Sequence, residues 1–130
     1  MRSQRPSASL GVMAKLKLRI DFGEGRALGP GKVQLLELVG ETGSISAAAR
    51  RMEMSYRRAW LLVDALNQMF AKPVVATRGG GAGGGGASLT SFGAEVIAAY
   101  RAMEADAGTA LAGRVAALEA ALASSSHTAP

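Results

Sequence analysis

The sequence predicts an α+β fold, mostly helical, from three patterns. Two stretches of helical apolar spacing flank a turn of only two or three residues within 44–70. A run of seven glycines and one alanine, residues 79–86, separates two short stretches of strand character. A near-heptad apolar stripe then runs through 91–123. The 130 residues suffice for one such domain with tails.

Taken in chain order, residues 1–14 read as a disordered arm. Lys15-Leu16-Lys17-Leu18-Arg19-Ile20 alternates basic and apolar residues, the period of a half-buried strand with Leu16, Leu18 and Ile20 inward. Residues 21–31, rich in glycine and holding Pro30, read as a loop. Val33, Leu36 and Val39, flanked by Leu35, predict a helix that ends at Gly43, where a left-handed cap is expected. Ser44 or Ser46 can cap a second, short helix whose buried side is Ile45, Ala48, Ala49 and Met52. Its small alanines allow another helix to cross closely. After the turn Glu53–Ser55, Ser55 caps a third helix from Tyr56 to Phe70, with Ala59, Leu62 or Val63, Leu66 and Met69 or Phe70 inward.

Pro73–Arg78 and Ala87-Ser88-Leu89 read as the two strands of a hairpin with a glycine tip. Thr90 caps a last helix, 91–123, whose stripe is Val96, Tyr100, Met103, Ala107, Leu111, Val115, Leu118 and Leu122. That stripe exceeds what one small domain can cover, so a homodimer is expected. Gly108 and Gly113 weaken the helix and mark possible bends. Residues 124–130 read as a disordered tail.

Composition excludes several chemistries. The chain has no cysteine, and His127, near the C-terminus, is its one histidine. Disulfides, cysteine-ligated metals and His-based triads therefore have no residues to build them. No pair of carboxylates suggests general acid–base work, so no catalytic residue, metal or cofactor is expected. Gly31-Lys32 imitates a phosphate-binding loop. The spacing from Gly25 is wrong, however, and Val33 stands where a hydroxyl is needed. No segment offers the run of roughly 20 apolar residues of a membrane span, and a cytoplasmic location is expected.

Charge points to a partner. Residues 1–80 carry thirteen basic and six acidic side chains, against two and four in 81–130. A basic N-terminal portion suits an anionic partner, and the helix–turn–helix at 44–70 makes double-stranded DNA the best candidate. Arg57 and Arg58 fall in the first turn of the second of those helices, where bidentate contacts to guanine or phosphate are available. They oppose the helix dipole there, a local cost that favours a functional reason. Tyr56, at the exposed helix start, is expected to touch DNA. Trp60 either packs beneath the hairpin or turns outward, and packing is the expectation. Asp64 and Asn67 read as a solvated or internally bonded face. The hairpin serves as a wing, its Gly79 and Gly80 amides facing phosphate and Arg78 adding charge at its base. The alternative is a dimeric protein-interaction module with weak or no DNA binding; the arginines at 50, 51, 57 and 58 argue against it.

Several of these strings occur together in one family. Gly43-Ser44-Ile45-Ser46, Ala48-Ala49, Ser55-Tyr56-Arg57, Ala59-Trp60, Asn67, the glycine run closing in Ser88-Leu89-Thr90, and Gly93 resemble the N-terminal DNA-binding domain of the ModE family. These are molybdate-responsive bacterial transcriptional regulators with a LysR-type winged helix. The resemblance covers about residues 15–122. It implies a winged helix-turn-helix over 15–90 and a dimerisation helix over 91–123. It also implies DNA-reading positions at Ser55, Tyr56, Arg57 and Arg58, with Ser44 and Ser46 near phosphate and a wing from Arg78 to Gly86. Control of molybdenum-related genes is the implied role. The molybdate-binding domains of the family have no counterpart in these residues, so molybdate is not expected to bind this chain.

Overall fold

The structure is a computed structural model that describes residues 14–78 and 86–123. The expected arm (all but Ala14), the hairpin tip at 79–85 and the expected tail lie outside the described residues. The chain divides into two compact units, residues 17–102 and residues 103–123 with 14–16.

The first unit opens with a hairpin that differs from expectation. β1 is Ile20–Gly23 and pairs antiparallel with β2, Arg26–Leu28, with Ile20 opposite Leu28 and Asp21 opposite Ala27. Residues 15–19 are not a strand, and the supposed loop holds all of the second strand and all but Ile20 of the first. The reason is hydrogen bonding: a strand needs a neighbour, and the chain supplies one only by turning at once. Glu24 and Gly25 both take positive φ, as tight two-residue hairpin turns require. Asp21 Oδ1 steadies the turn by accepting from the Gly23 amide at 2.9 Å. The alternation holds in part, since Leu18 and Ile20 pack on the core while Leu16 is exposed.

α1, Pro30–Thr42, begins with proline, where the missing N–H costs nothing. It buries Val33, Leu35, Leu36 and Val39 completely. Gly43 ends it in the left-handed region at φ 71°, its amide donating to Val39 O at 2.8 Å. α2, Ile45–Arg51, is capped by Ser44, whose Oγ accepts from the Ala47 amide at 3.0 Å. Ile45, Ala48 and Ala49 are buried, and Met52 packs at the edge of the core. Glu53 makes the turn with φ 57°. α3, Tyr56–Met69, then starts at Ser55, whose Oγ accepts from the Arg58 amide at 3.1 Å. It buries Ala59, Val63 and Leu66, with Leu62 at the core margin.

β3, Val75–Thr77, and β4, Ala87–Leu89, form the second hairpin, in which Val75 faces Leu89 and Thr77 faces Ala87. The pairing extends toward the tip through the Arg78 amide, which donates to Gly86 O at 2.9 Å. Two polar side chains fasten this hairpin. Asn67 on α3 accepts from the amides of Val74 and Val75 at 2.8 and 3.1 Å, and its Nδ2 donates to Val75 O at 3.0 Å. Thr90 accepts from the Gly93 amide at 2.9 Å and donates to Pro73 O at 2.7 Å. Gly93 must be glycine for packing reasons: a Cβ there would sit 2.1 Å from Val74 O.

α4 runs from Ser91 to Ala120 and continues through Gly108 and Gly113 as one helix. It ends three residues earlier than expected. Its first turns complete the core of the first unit: Val96 and Tyr100 are buried, and the Tyr100 hydroxyl donates to Leu18 O at 2.7 Å. These two residues, expected in a dimer face, are therefore committed within their own chain. In the second unit, the Ala14 amide donates to Glu119 Oε2 at 3.1 Å. Met103, Leu111 and Leu118 are exposed there, and Val115 is half-buried.

α1 and α4 are joined by a two-pronged ion pair: Arg101 donates through Nη2 and Nε to the two oxygens of Glu37 at 2.7 and 3.0 Å. The hydrogen bond from Arg101 holds the Glu37 carboxyl below its ordinary value of 4.5. Its folded-state pKa lies below its unfolded one. The pair's stabilisation is thus complete above about 4.5 and disappears as pH falls through the lower, folded value. Both side chains are more than 30% exposed, so the pair contributes only about 0.5–1 kcal/mol. Glu37→Gln should cost about that much at pH 7 and progressively less as pH falls below 4.5, read by urea unfolding across that range. A cost independent of pH would assign the loss to packing instead.

Candidate nucleic-acid interface

The tight approach of α2 and α3 decides what the surface presents. With Ala59, Val63 and Leu66 directed into the core, the opposite side of α3 must face outward. Ser55, Tyr56, Arg57, Arg58, Trp60 and Leu61 are all exposed. Tyr56 and Trp60 are four residues apart, as are Arg57 and Leu61, so both pairs are neighbours along the helix surface. Trp60 does not pack beneath the hairpin as expected: it is 43% exposed. It lies about 100° around the helix from Ala59, off the side on which Ala59, Val63 and Leu66 are buried. Asn67, by contrast, is internally bonded, one of the two outcomes expected.

The basic residues divide by whether they have partners. Arg50 donates to Ser46 Oγ at 3.3 Å, and Arg51 pairs with Glu41 at 3.6 Å. Both lie in the last turn of α2, where positive charge complements the helix dipole. They accordingly have structural reasons to be there and discriminate poorly between functions. Arg57 and Arg58 lie in the first turn of α3, where the dipole disfavours them. Among the described residues neither guanidinium has a hydrogen-bonding or ion-pairing partner.

The expected contact serines carry other duties. Ser44 and Ser55 use their oxygens as caps, and Ser46 accepts from Arg50. Each hydroxyl retains its proton for donation. Arg78 is exposed at the base of the hairpin. Gly79 and Gly80 lie outside the described residues. Sequence reasoning missed Arg19 and Lys32, which line an open cleft of about 400 Å³ together with Arg58, Met52, Met54 and Leu62. Lys32 also braces the β1–β2 hairpin by donating to Ala27 O at 2.8 Å. Nothing in the linear sequence links positions 19, 32 and 58; the helix packing does. A smaller cleft of about 300 Å³ adjoins Ser55, Arg57, Arg58, Leu61 and Leu62. Among the described residues no three His, Cys, Asp or Glu side chains gather as metal ligands, and no helix is long and apolar enough to cross a membrane.

A short helix capped by serine, a tight turn, a second helix with an exposed basic start, and a strand hairpin define a winged helix-turn-helix. Residues 31–94 match the bacterial regulatory helix-turn-helix proteins of the lysR family. The chain is 49% identical over 81 residues to the molybdenum-pterin-binding protein MopB of Rhodobacter capsulatus, covering 62% of this chain and 30% of that protein. It is 37% identical over 95 residues to the molybdenum transport protein ModE of Azotobacter vinelandii, covering 73% and 35%. It is 33% identical over 89 residues to the DNA-binding transcriptional dual regulator ModE of Escherichia coli K12, covering 68% and 34%. The matched region is about a third of the length of these relatives.

The unfavourable placement of Arg57 is measurable without any ligand. Arg57→Glu should raise stability by about 0.5–1 kcal/mol by replacing a charge that opposes the α3 dipole with one that suits it. Urea denaturation reads the change. A lowered midpoint would mean that Arg57 holds the fold together.

Proposed function

We propose that this chain is a sequence-specific, double-stranded DNA-binding transcriptional regulator of the ModE type, cytoplasmic and non-catalytic, acting on molybdenum-related genes. The observation that carries the reading is the start of α3, where Ser55, Tyr56, Arg57 and Arg58 stand exposed with both guanidinium groups unpaired among the described residues. A helix N-terminus braced by a preceding helix is the part of this motif that enters the major groove. Arg78 at the hairpin base and the glycine run beyond it are the second contact, on phosphate or in the minor groove. In this reading Ser44 and Ser46, at the start of α2, donate to phosphate. A purely protein-binding module needs no such arginine pair at an unfavourable helix end, so that alternative is disfavoured.

Duplexes selected from a random-sequence pool supply the test. Arg57→Ala and Arg58→Ala should each weaken the selected duplex by about 1–3 kcal/mol if they reach base edges. Affinity should fall steeply between 50 and 200 mM salt as counterions are released. Molybdate should leave it unchanged, because the clefts lined by Arg19, Lys32, Arg57 and Arg58 are open to solvent and enclose no oxyanion. Weak, salt-insensitive binding with no enriched sequence would reject the reading.

The regulator acts as a homodimer through the outer part of α4. Met103, Leu111, Val115 and Leu118 follow a spacing close to a heptad, and three of them are exposed. A two-fold dimer sets two reading helices about 34 Å apart, or a multiple of it, on a palindromic site. In sedimentation equilibrium the chain should run as a dimer at tens of micromolar and Leu111→Asp as a monomer. A monomeric wild type would exclude this assembly.

A further inference from the structure

We propose that Tyr56, Trp60 and Leu61 form an apolar ledge on α3 that reads thymine C5-methyl groups in the major groove. The inference rests on the DNA-binding reading above and assigns part of its sequence preference. Three of the large apolar side chains left exposed lie within six consecutive residues of one helix: Tyr56 at 55%, Trp60 at 43% and Leu61 at 47%. Folding does not require them, because the buried side of α3 is already filled by Ala59, Val63 and Leu66. Exposing so much apolar surface on two turns of one helix is unfavourable in water and indicates a partner that covers it.

The chemistry of the surroundings selects that partner. Arg57 neighbours both Trp60, three residues on, and Leu61, four residues on, so charged and apolar positions adjoin on the exposed side of the helix. Ser55, Arg57, Arg58, Leu61 and Leu62 share one cleft, and Arg58 also lines the cleft that contains Arg19 and Lys32. An apolar protein surface would leave these cations desolvated and unpaired, whereas duplex DNA satisfies them with phosphate and guanine. The apolar group that the major groove presents is the C5-methyl of thymine. A ledge of aromatic and aliphatic carbon between guanidinium groups therefore fits a site in which thymine lies beside guanine or phosphate. Trp60 is the new assignment: its indole serves specificity and not the core.

The experiment uses the full chain and the selected duplex. Each thymine is replaced in turn by deoxyuridine, which removes only the methyl group, and by 5-bromodeoxyuridine, which fills its place. At one or more positions uracil should weaken binding about fourfold, the equivalent of ~0.8 kcal/mol for one buried carbon. Bromouracil should restore it. In Trp60→Ala, Tyr56→Ala or Leu61→Ala the uracil penalty at the contacted position should shrink to less than about twofold. If no thymine in the selected duplex is sensitive to methyl removal, the proposal is overturned while DNA binding stands. A uracil penalty that all three variants retain overturns the assignment to this ledge. If no duplex is enriched at all, the DNA-binding reading fails and takes this inference with it. Methyl sensitivity is measured first on the wild-type chain, so a variant that folds poorly does not decide the outcome.

Discussion

The close approach of α2 and α3 is the constraint on which the surface depends. Ala48, Ala49 and Ala59 are almost fully buried in the core that both helices share. Larger side chains there would push the helices apart, because packed interiors leave no spare volume. The turn leaves no slack either: Glu53 takes a left-handed backbone, and the Met54 amide returns to Ala49 O at 3.0 Å. Once the two helices are fixed in this way, the rotation of α3 about its axis is fixed, and with it the list of side chains that face outward.

Polar contacts then set the hairpin against the same helix. Asn67 lies on α3 next to the buried Leu66 and uses both ends of its amide on the backbone that leads into β3. Thr90 and Gly93 hold the far side of the hairpin where α4 begins, the one by hydrogen bonds and the other by having no Cβ. The Ala87 amide donates to Gly43 O at 2.9 Å, so the end of α1 is tied in as well. The base of the wing is thus held by the helix proposed to read bases. A hairpin two short strands wide would be marginal alone; here its position relative to α3 is a consequence of side chains on α3 itself.

The arginines show how function and stability part company within one helix pair. At the end of α2, Arg50 and Arg51 agree with the dipole and have partners in the chain. At the start of α3, Arg57 and Arg58 disagree with it and have none among the described residues. A protein selected for stability alone would exchange the second pair for acidic side chains. The exposed Tyr56, Trp60 and Leu61 make the same statement in apolar terms.

Much of this was legible in the sequence because it depends on neighbours a few residues apart. Helical spacing placed Val33, Leu36 and Val39 inward; serine before each short helix marked its cap; and glycine at 43 marked a stop that only a left-handed backbone could make. The strings around Ser55-Tyr56-Arg57 and the glycine run were sufficient to indicate a regulatory helix-turn-helix and the position of its second helix. Other features needed the tertiary structure. The first hairpin was misplaced because residues 15–19 alternate as a strand does but pair with no strand among the described residues, while a glycine-rich stretch that looked like loop folds back on itself. The rotation of α3 turned Trp60 outward, although its composition suggested burial. Val96 and Tyr100 continue the stripe of the long helix in sequence, yet the first unit takes them for its own core. The joint placement of Arg19, Lys32 and Arg58 has no linear signature at all. Periodicity states that a residue has an inside and an outside; which neighbour fills the inside is decided only when the elements pack.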